Sequence, residues 1–278
     1  MERVARKSIG KLSISITRKD AAFFMVAMLG FFVGRFVVFD IMNPVAVGFA
    51  ANFLGGGAIF VVVAVLAATG AATLLTGNFM LKYIVTFALL VVWHVYYSRQ
   101  KAVPNIYAKA AIAASCALFG GLFLAAMEGM SVFFALVSVL EACMTLLVTY
   151  ILKNGVNVVA GKKYRKVLSG EEIASIALLF GAVVAGMVDI YIGDVALRLF
   201  MSVFIILTAA YKGGVALGAT VGMILGLVLF LANYQDATMA LIMSFGGLAA
   251  GVFRARGKLV SLLGMLVGGL VVTAYIDA

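Results

Sequence analysis

The sequence predicts an all-α polytopic membrane protein, a bundle of about ten to eleven transmembrane helices with glycine-rich C-terminal helices. Of its 278 residues, 65% are hydrophobic and only 12% are charged, with a mean hydropathy of +1.19. A soluble domain carries about 25% charged residues. The apolar residues also gather in runs near the ~20 residues that a helix needs to cross a bilayer. Lipid is therefore expected to be the solvent for most of the chain.

The chain begins with a basic tail, residues 1–20, which we expect on the cytoplasmic side. The apolar run 21–39 is too long for the core of a signal peptide and shows no clear cleavage site, so it predicts an uncleaved first span. A multi-span transmembrane domain is then expected over residues 21–278. Its further candidate spans are 58–76, 80–98, 107–127, 130–152, 172–190, 194–209, 213–232, 237–252 and 258–275.

Charge on the connectors predicts the direction of each span. The formal net charge of +10 comes from basic residues that lie between the apolar runs, so it indicates topology rather than nucleic-acid binding. Basic connectors at Arg99 and Arg254 alternate with acidic connectors at Glu128 and Asp189. Because basic loops stay in the cytoplasm, this order predicts that Ala278 lies outside.

The sequence does not decide whether residues 44–57, PVAVGFAANFLGGG, cross the membrane. The segment is apolar but barely half a bilayer long. If the basic tail and Arg99 both lie inside, this segment must cross, as a short or broken helix. If it is re-entrant instead, one of those two sides is assigned wrongly. Irregular backbone at this depth is tolerated only when it is buried in protein.

Glycine recurs at every fourth position of the run 213–232, and the spacing repeats in the next two segments. Each such glycine costs a helix roughly 1 kcal/mol relative to alanine. In lipid, however, close backbone approach is what drives helices together. We interpret the glycines as the packing faces of three neighbouring helices, with a homo-oligomer interface or a glycine-hinged gate as the alternative. They are Gly214, Gly218, Gly222, Gly226, Gly247, Gly251, Gly264 and Gly268.

Glu141 lies midway through the apolar run 130–152. A charged residue at this depth costs roughly 2.5–3.5 kcal/mol on insertion scales and normally has a partner inside the bundle. Arg35 and Arg198 are the candidate partners, and Arg35 lies deeper in its run. Two interpretations remain open: a buried structural ion pair of Arg35 with Glu141, or a protonatable site on a transport pathway.

Enzyme chemistry has no support in the sequence. There is no carboxylate cluster with metal-ligand spacing and no nucleophile–base pair, so we predict no catalytic residue, no metal and no cofactor in this chain. Cys116 and Cys143 both lie within predicted spans, which argues against a disulfide framework. His94 follows Trp93 at the end of a span, as is typical of an interfacial aromatic belt. The expected partner is the lipid bilayer, and nucleic acid is not expected.

Four blocks of sequence resemble the membrane region of the stage II sporulation protein E family. Their order and spacing also match, so the similarity covers essentially the whole chain. The blocks are GFFVGRFVV around Arg35, VLEACMTLLVTYI around Glu141, SGEEIASIALLF with Glu171 and Glu172, and GGVALGATVGMILGLVLFLAN with the glycine stripe.

This resemblance implies an endospore-forming bacterium and a membrane domain that precedes a regulatory segment and a metal-dependent serine phosphatase domain. Neither downstream part is present here, so manganese is expected only in the absent phosphatase domain. In the family, the phosphatase acts on an anti-anti-sigma factor and so activates the forespore sigma factor at the polar division septum. A cytoplasmic phosphatase would need one more inward crossing after Ala278, so we expect the chain to stop before that span.

We therefore expect a non-catalytic domain that anchors, localises and oligomerises the phosphatase. The resemblance implies a multi-pass protein of the bacterial cell membrane at the polar sporulation septum, with a homo-oligomer and with division-ring and septal proteins as partners. The alternative is a small-solute or proton-coupled transporter that uses Glu141 and Arg35. A water-accessible cavity lined by Glu141 would favour transport, whereas a dry, paired glutamate would favour the scaffold.

Overall fold

The computed structural model describes residues 18–159, 169–233 and 237–276, and this part of the chain forms ten α-helices and one short hairpin. Most of the expected basic tail 1–20 and part of the connector between the sixth and seventh helices lie outside the described residues. The helices are α1 (Arg18–Gly34), α2 (Pro44–Ala51), α3 (Ala58–Ala72), α4 (Asn78–Arg99), α5 (Ile106–Met127), α6 (Val132–Val159), α7 (Gly170–Ala185), α8 (Leu197–Asn233), α9 (Thr238–Val252) and α10 (Lys258–Ile276).

The remaining regular structure is small. Strands β1 (Tyr191–Ile192) and β2 (Val195–Ala196) pair antiparallel ahead of α8. A 3-10 helix, Phe253–Arg256, joins α9 to α10. The predicted all-α membrane fold therefore describes this architecture, with the hairpin as a minor addition.

Six helices among the described residues are long and apolar enough to cross a membrane: Asn78–Arg99, Ile106–Met127, Val132–Val159, Leu197–Ala232, Thr238–Arg256 and Lys258–Ile276. Two shorter apolar helices, Phe23–Gly34 and Ala58–Ala72, accompany them. Large hydrophobic side chains such as Leu147 and Leu263 are exposed on the outer faces of these helices. The fold class is thus that of a membrane protein, but the expected count of ten to eleven spans is not confirmed.

Helix α8 is interrupted at Gly214, whose φ of 80° and ψ of −160° are not helical. A Cβ added to Gly218 would lie 2.7 Å from the Cβ of Ala210, although eight residues of straight helix span about 12 Å. The two arms of α8, residues 197–213 and 215–233, therefore fold back on each other. This corrects one expectation: Gly214 does not belong to the helical stripe but makes the turn between two helical arms.

The other glycines of the stripe face α9. A Cβ at Gly218 would overlap the carbonyl oxygen of Gly247, and one at Gly222 would overlap the carbonyl oxygen of Met243. A Cβ at Gly226 would lie 2.5 Å from the Cα of Ala240. Backbone thus touches backbone along the whole interface between the second arm of α8 and α9.

The glycines of α9 and α10 also make close contacts within this one chain, two with backbone and one with a side-chain ring. A Cβ at Gly251 would lie 2.6 Å from the Cα of Val215. One at Gly264 would lie 2.6 Å from the ring of Phe253, and one at Gly268 would lie 2.8 Å from the carbonyl oxygen of Phe245. The second arm of α8, α9 and α10 therefore form the closely packed group of three helices that the spacing predicts.

Helices α1 and α3 run in the same direction, which decides the path of the segment between them. Gly30 faces Val63 and Gly34 faces Ala67, so residue numbers increase in the same direction along both helices. The intervening residues must return the chain to the side where α1 begins. Helix α2 makes this return as eight residues, about 12 Å, and all eight are buried. The segment 44–57 is thus a broken passage whose helical part is enclosed by protein, whereas Gly56 and Gly57 at its end are exposed.

Candidate functional site

The start of α2 is fixed by Asn43, which is fully buried. Its Oδ1 accepts a hydrogen bond of 2.9 Å from the backbone N–H of Ala46, which caps the first turn. Its Nδ2 donates to the carbonyl oxygen of Gly34 at 2.6 Å. One amide side chain therefore joins the last residue of α1 to the first turn of α2.

Glu141 on α6 meets this same point and is 0% exposed. Its Oε1 accepts hydrogen bonds from the hydroxyl of Tyr83 at 2.6 Å and from the backbone N–H of Asn43 at 3.1 Å. Its Oε2 forms an ion pair with Nζ of Lys82 on α4. Both carboxylate oxygens are thus engaged, and we refer to Asn43, Lys82, Tyr83 and Glu141 as the polar cluster.

Lys82 is 1% exposed, and its ammonium group has further partners. Its Nζ donates to the carbonyl oxygen of Ile41 at 3.3 Å and lies 5.0 Å from the centre of the Tyr83 ring. A buried ion pair is tolerated only when such additional hydrogen bonds compensate for lost hydration. The polar cluster meets that condition and ties α4 and α6 to the chain just before α2.

The predicted pairing of Arg35 with Glu141 is corrected by these contacts. Arg35 follows the last residue of α1, and its Nη2 donates to the carbonyl oxygen of Val188 at 3.2 Å. The same nitrogen lies 3.7 Å from Oδ2 of Asp189. Arg35 thus reaches out to the turn before β1, while Glu141 lies deep in α6. Arg198, the other candidate, stands in the first turn of α8.

Lys82 was missed because it stands near the start of its span, where charged residues are common. A signal was nevertheless present. The start of α4 lies beside the acidic connector, since Nδ2 of Asn78 donates to Oε1 of Glu128 at 2.8 Å. The positive-inside rule disfavours a lysine at this end. Such an exception indicates an internal partner, and Arg35 is a second exception of the same kind.

Charges of favourable sign stand at both ends of α2. The carboxylate of Glu141 faces the N-terminal end, and Nζ of Lys109 donates to the carbonyl oxygen of Asn52 at the C-terminal end at 2.6 Å. This arrangement complements the helix dipole. The polar cluster therefore serves to hold a half-length helix inside the bundle.

His94 is buried, whereas the sequence suggested an interfacial aromatic belt. Its ring stacks on Phe60 with centroids 4.2 Å apart. Nδ1 accepts from the backbone N–H of Gly55 at 3.4 Å, and Nε2 lies 3.3 Å from the hydroxyl of Ser98. His94 therefore packs against the loop that follows α2, and its neighbour Trp93 stays exposed.

The start of α7 carries the two glutamates of the SGEE block. Ser169 and Glu172 form a reciprocal capping box, with the Ser169 backbone N–H donating to Oε2 of Glu172 at 2.9 Å. Glu171 lies in the same first turn. Within the described ranges, no three His, Cys, Asp or Glu side chains come together as a metal site.

Comparison with known proteins identifies the family to which the chain belongs. Residues 1–278 match the family model described as SpoIIE, N-terminal domain. This chain belongs to that family. The SpoIIE N-terminal domain match confirms the resemblance that the four sequence blocks indicated. Together with the apolar helices, it indicates the membrane domain of a sporulation protein.

A curated relative covers the same region. Stage II sporulation protein E of Bacillus subtilis (strain 168) is 26% identical over 260 residues, which is 91% of this chain and 31% of the relative. The chain thus spans less than a third of that relative's length. No solved structure matches the chain.

Proposed function

We propose that this SpoIIE N-terminal domain anchors and positions a protein serine phosphatase that acts at the polar sporulation septum and activates the forespore sigma factor. Family membership supports the sporulation context. The membrane domain would localise the phosphatase, help it to oligomerise and bring it to division-ring and septal proteins. Chemistry would reside in the part of the protein that follows this chain.

The observation that supports the scaffold role is the complete burial of Glu141 inside the bundle. The carboxylate is fully buried, and each of its oxygens has a protein partner. A proton or substrate pathway needs an intramembrane acid that faces water or exchanges partners. Glycine contacts along the second arm of α8, α9 and α10 likewise favour tight helix packing at these interfaces.

A domain exchange in the full-length protein tests this proposal. The 278 residues are replaced by an unrelated multi-span domain with the same terminal orientation. We expect the purified phosphatase to keep its activity, while the fusion protein spreads around the cell membrane and forespore sigma-factor reporter expression falls at least tenfold. Normal septal placement of the exchanged protein would contradict the proposal.

A transport assay addresses the alternative. The chain is reconstituted into liposomes that contain a pH-sensitive dye, and a proton gradient is imposed. We expect the same leak rate for the wild type and for Glu141→Gln, because the carboxylate has no water-facing position. Proton flux that the wild type supports and Glu141→Gln abolishes would instead establish transport.

A further inference from the structure

A groove with a cavity of about 480 Å³ lies between the first arm of α8 and the start of α10. Its wall within the bilayer is apolar, and its end is polar and basic. Phe204, Leu207 and Leu262 line the apolar part, while Tyr211, Lys212 and Lys258 stand at the basic end. This order of side chains matches an acyl chain that leads to a charged headgroup.

The basic end has no internal counter-charge among the described residues. Lys212, Arg254, Arg256 and Lys258 form no salt bridge within the described part of the chain. The sequences 197–233 and 237–276 contain no aspartate or glutamate at all. Cations gathered between membrane helices without carboxylates favour an anion supplied from outside the protein.

The turn of α8 adds a third cation beside the groove. A Cβ at Gly214 would lie 2.7 Å from Nη1 of Arg254, so the guanidinium rests directly on this turn. Gly214 has positive φ, and its lack of a side chain leaves room for that approach. The turn at the end of the groove is therefore shaped around a positive charge.

The groove opens on the side that the basic connectors assign to the cytoplasm. The cytoplasmic leaflet carries anionic lipids, and basic pockets between transmembrane helices bind their headgroups. We infer that the groove binds an anionic phospholipid of this leaflet. Its phosphate lies between Lys212 and Lys258, and one acyl chain packs along Phe204 and Leu262.

Native mass spectrometry of the full chain in mild detergent tests this site. Phosphatidylglycerol and phosphatidylcholine of identical acyl chains are titrated separately. We expect phosphatidylglycerol to bind at least tenfold more tightly, and the double variant Lys212→Gln, Lys258→Gln to lose that preference. The matched control, Arg99→Gln with Lys101→Gln, removes two charges from another basic connector and should keep it. The inference would be overturned if both double variants lost the preference for phosphatidylglycerol to the same extent.

A second pair of variants tests the apolar wall without changing charge. Thr208→Trp fills the groove, whereas Phe200→Trp adds the same ring at an exposed position of the same arm. We expect only Thr208→Trp to weaken phosphatidylglycerol binding, by about tenfold. Equal binding by both tryptophan variants would contradict an acyl chain in the groove.

Two other possible occupants of the groove, a free anion and a second copy of the chain, give different results in the same measurement. Millimolar inorganic phosphate should leave bound phosphatidylglycerol in place, because the acyl chain contributes to its binding. Displacement by phosphate would mean a free-anion site and would overturn the inference. A groove occupied by a second copy would show as a dimer that Thr208→Trp dissociates, and that outcome would also overturn it.

Discussion

Glu141 and Lys82 illustrate how a costly residue becomes tolerable inside the bundle. Each charge would be expensive alone, but the ion pair and the hydrogen bonds from Tyr83, Asn43 and to Ile41 compensate. Removing one partner of a buried pair typically costs about 3–5 kcal/mol, because the remaining charge stays buried. The two residues should therefore behave as one energetic unit.

A double-mutant cycle measures that unit. We expect Lys82→Met and Glu141→Gln each to lower the free energy of unfolding by about 3 kcal/mol. The double variant should lose less free energy of unfolding than the two single variants lose together, because no lone charge remains. The expected coupling energy is on the order of 2 kcal/mol. Unfolding in mixed detergent with SDS is followed by fluorescence of Trp93, the single tryptophan.

Arg35→Met provides the control for this cycle. Its partners are Val188 and Asp189 at the bundle end, so its cost should simply add to that of Glu141→Gln. Strict additivity between Lys82→Met and Glu141→Gln would show that their contact carries no coupling.

Asn43 performs a second residue-scale task by capping α2 and bonding to Gly34. We expect Asn43→Ala to lower the free energy of unfolding by about 2 kcal/mol, since a cap is lost and a buried carbonyl is left without its donor. Asn105, which caps α5 at an exposed site through Ala108, gives the matched control: Asn105→Ala should cost about 1 kcal/mol. Equal costs would mean that the bond to Gly34 adds nothing. The measurement is the same fluorescence-detected unfolding.

At the scale of elements, backbone contact decides which glycines matter. Gly268 and Gly269 are neighbours in α10, yet an added Cβ would lie 2.8 Å from the carbonyl oxygen of Phe245 in the first case and 3.4 Å from Cγ2 of Ile242 in the second. The first approach is too close for a backbone atom that cannot move freely. The second is an ordinary van der Waals contact.

Paired alanine substitutions test this distinction. We expect Gly268→Ala to destabilise the chain by about 1–3 kcal/mol, the usual cost of overpacking. Gly269→Ala should be neutral or stabilising by up to about 1 kcal/mol, because alanine favours helix. Thermal unfolding in detergent compares the two variants, and equal effects would show that the close approach of α9 and α10 is unimportant.

At the scale of the whole molecule, the acidic and the basic connectors lie at opposite ends of the bundle. Arg35 and Asp189 meet at one end, beside a cavity of about 270 Å³ that Leu75 and Ala232 also line. Lys212 and Arg254 lie at the other end, around the turn at Gly214. The directions of α3, the second arm of α8 and α10 therefore agree with the alternation of basic and acidic connectors.

Cysteine labelling tests this orientation. Cys116 and Cys143 are first replaced, and single cysteines are placed at Lys101, Tyr191 and Tyr275, all exposed positions. In intact cells, an impermeant maleimide should label positions 191 and 275 but not 101. Lysed cells, in which all three should react, are the control. Labelling of position 101 from outside would reverse the topology.

Composition and periodicity alone predicted the membrane class, the positions of the six long apolar helices, a direction for each span and the close packing of the second arm of α8, α9 and α10. These properties depend on local hydrophobicity, on loop charge and on spacing along one helix, all of which are written in consecutive residues. Gly218 and Gly222 could be interpreted this way because a four-residue repeat defines a helix face.

Only the tertiary structure decided which charges meet. Glu141, Lys82 and Asn43 lie far apart in the sequence, and their meeting depends on the enclosed path of α2, which no local pattern specifies. Gly214 likewise becomes a turn because two arms of α8 pack against each other. Partners of buried charges and breaks in helices follow from contacts between distant segments, and those contacts exist only in the folded bundle.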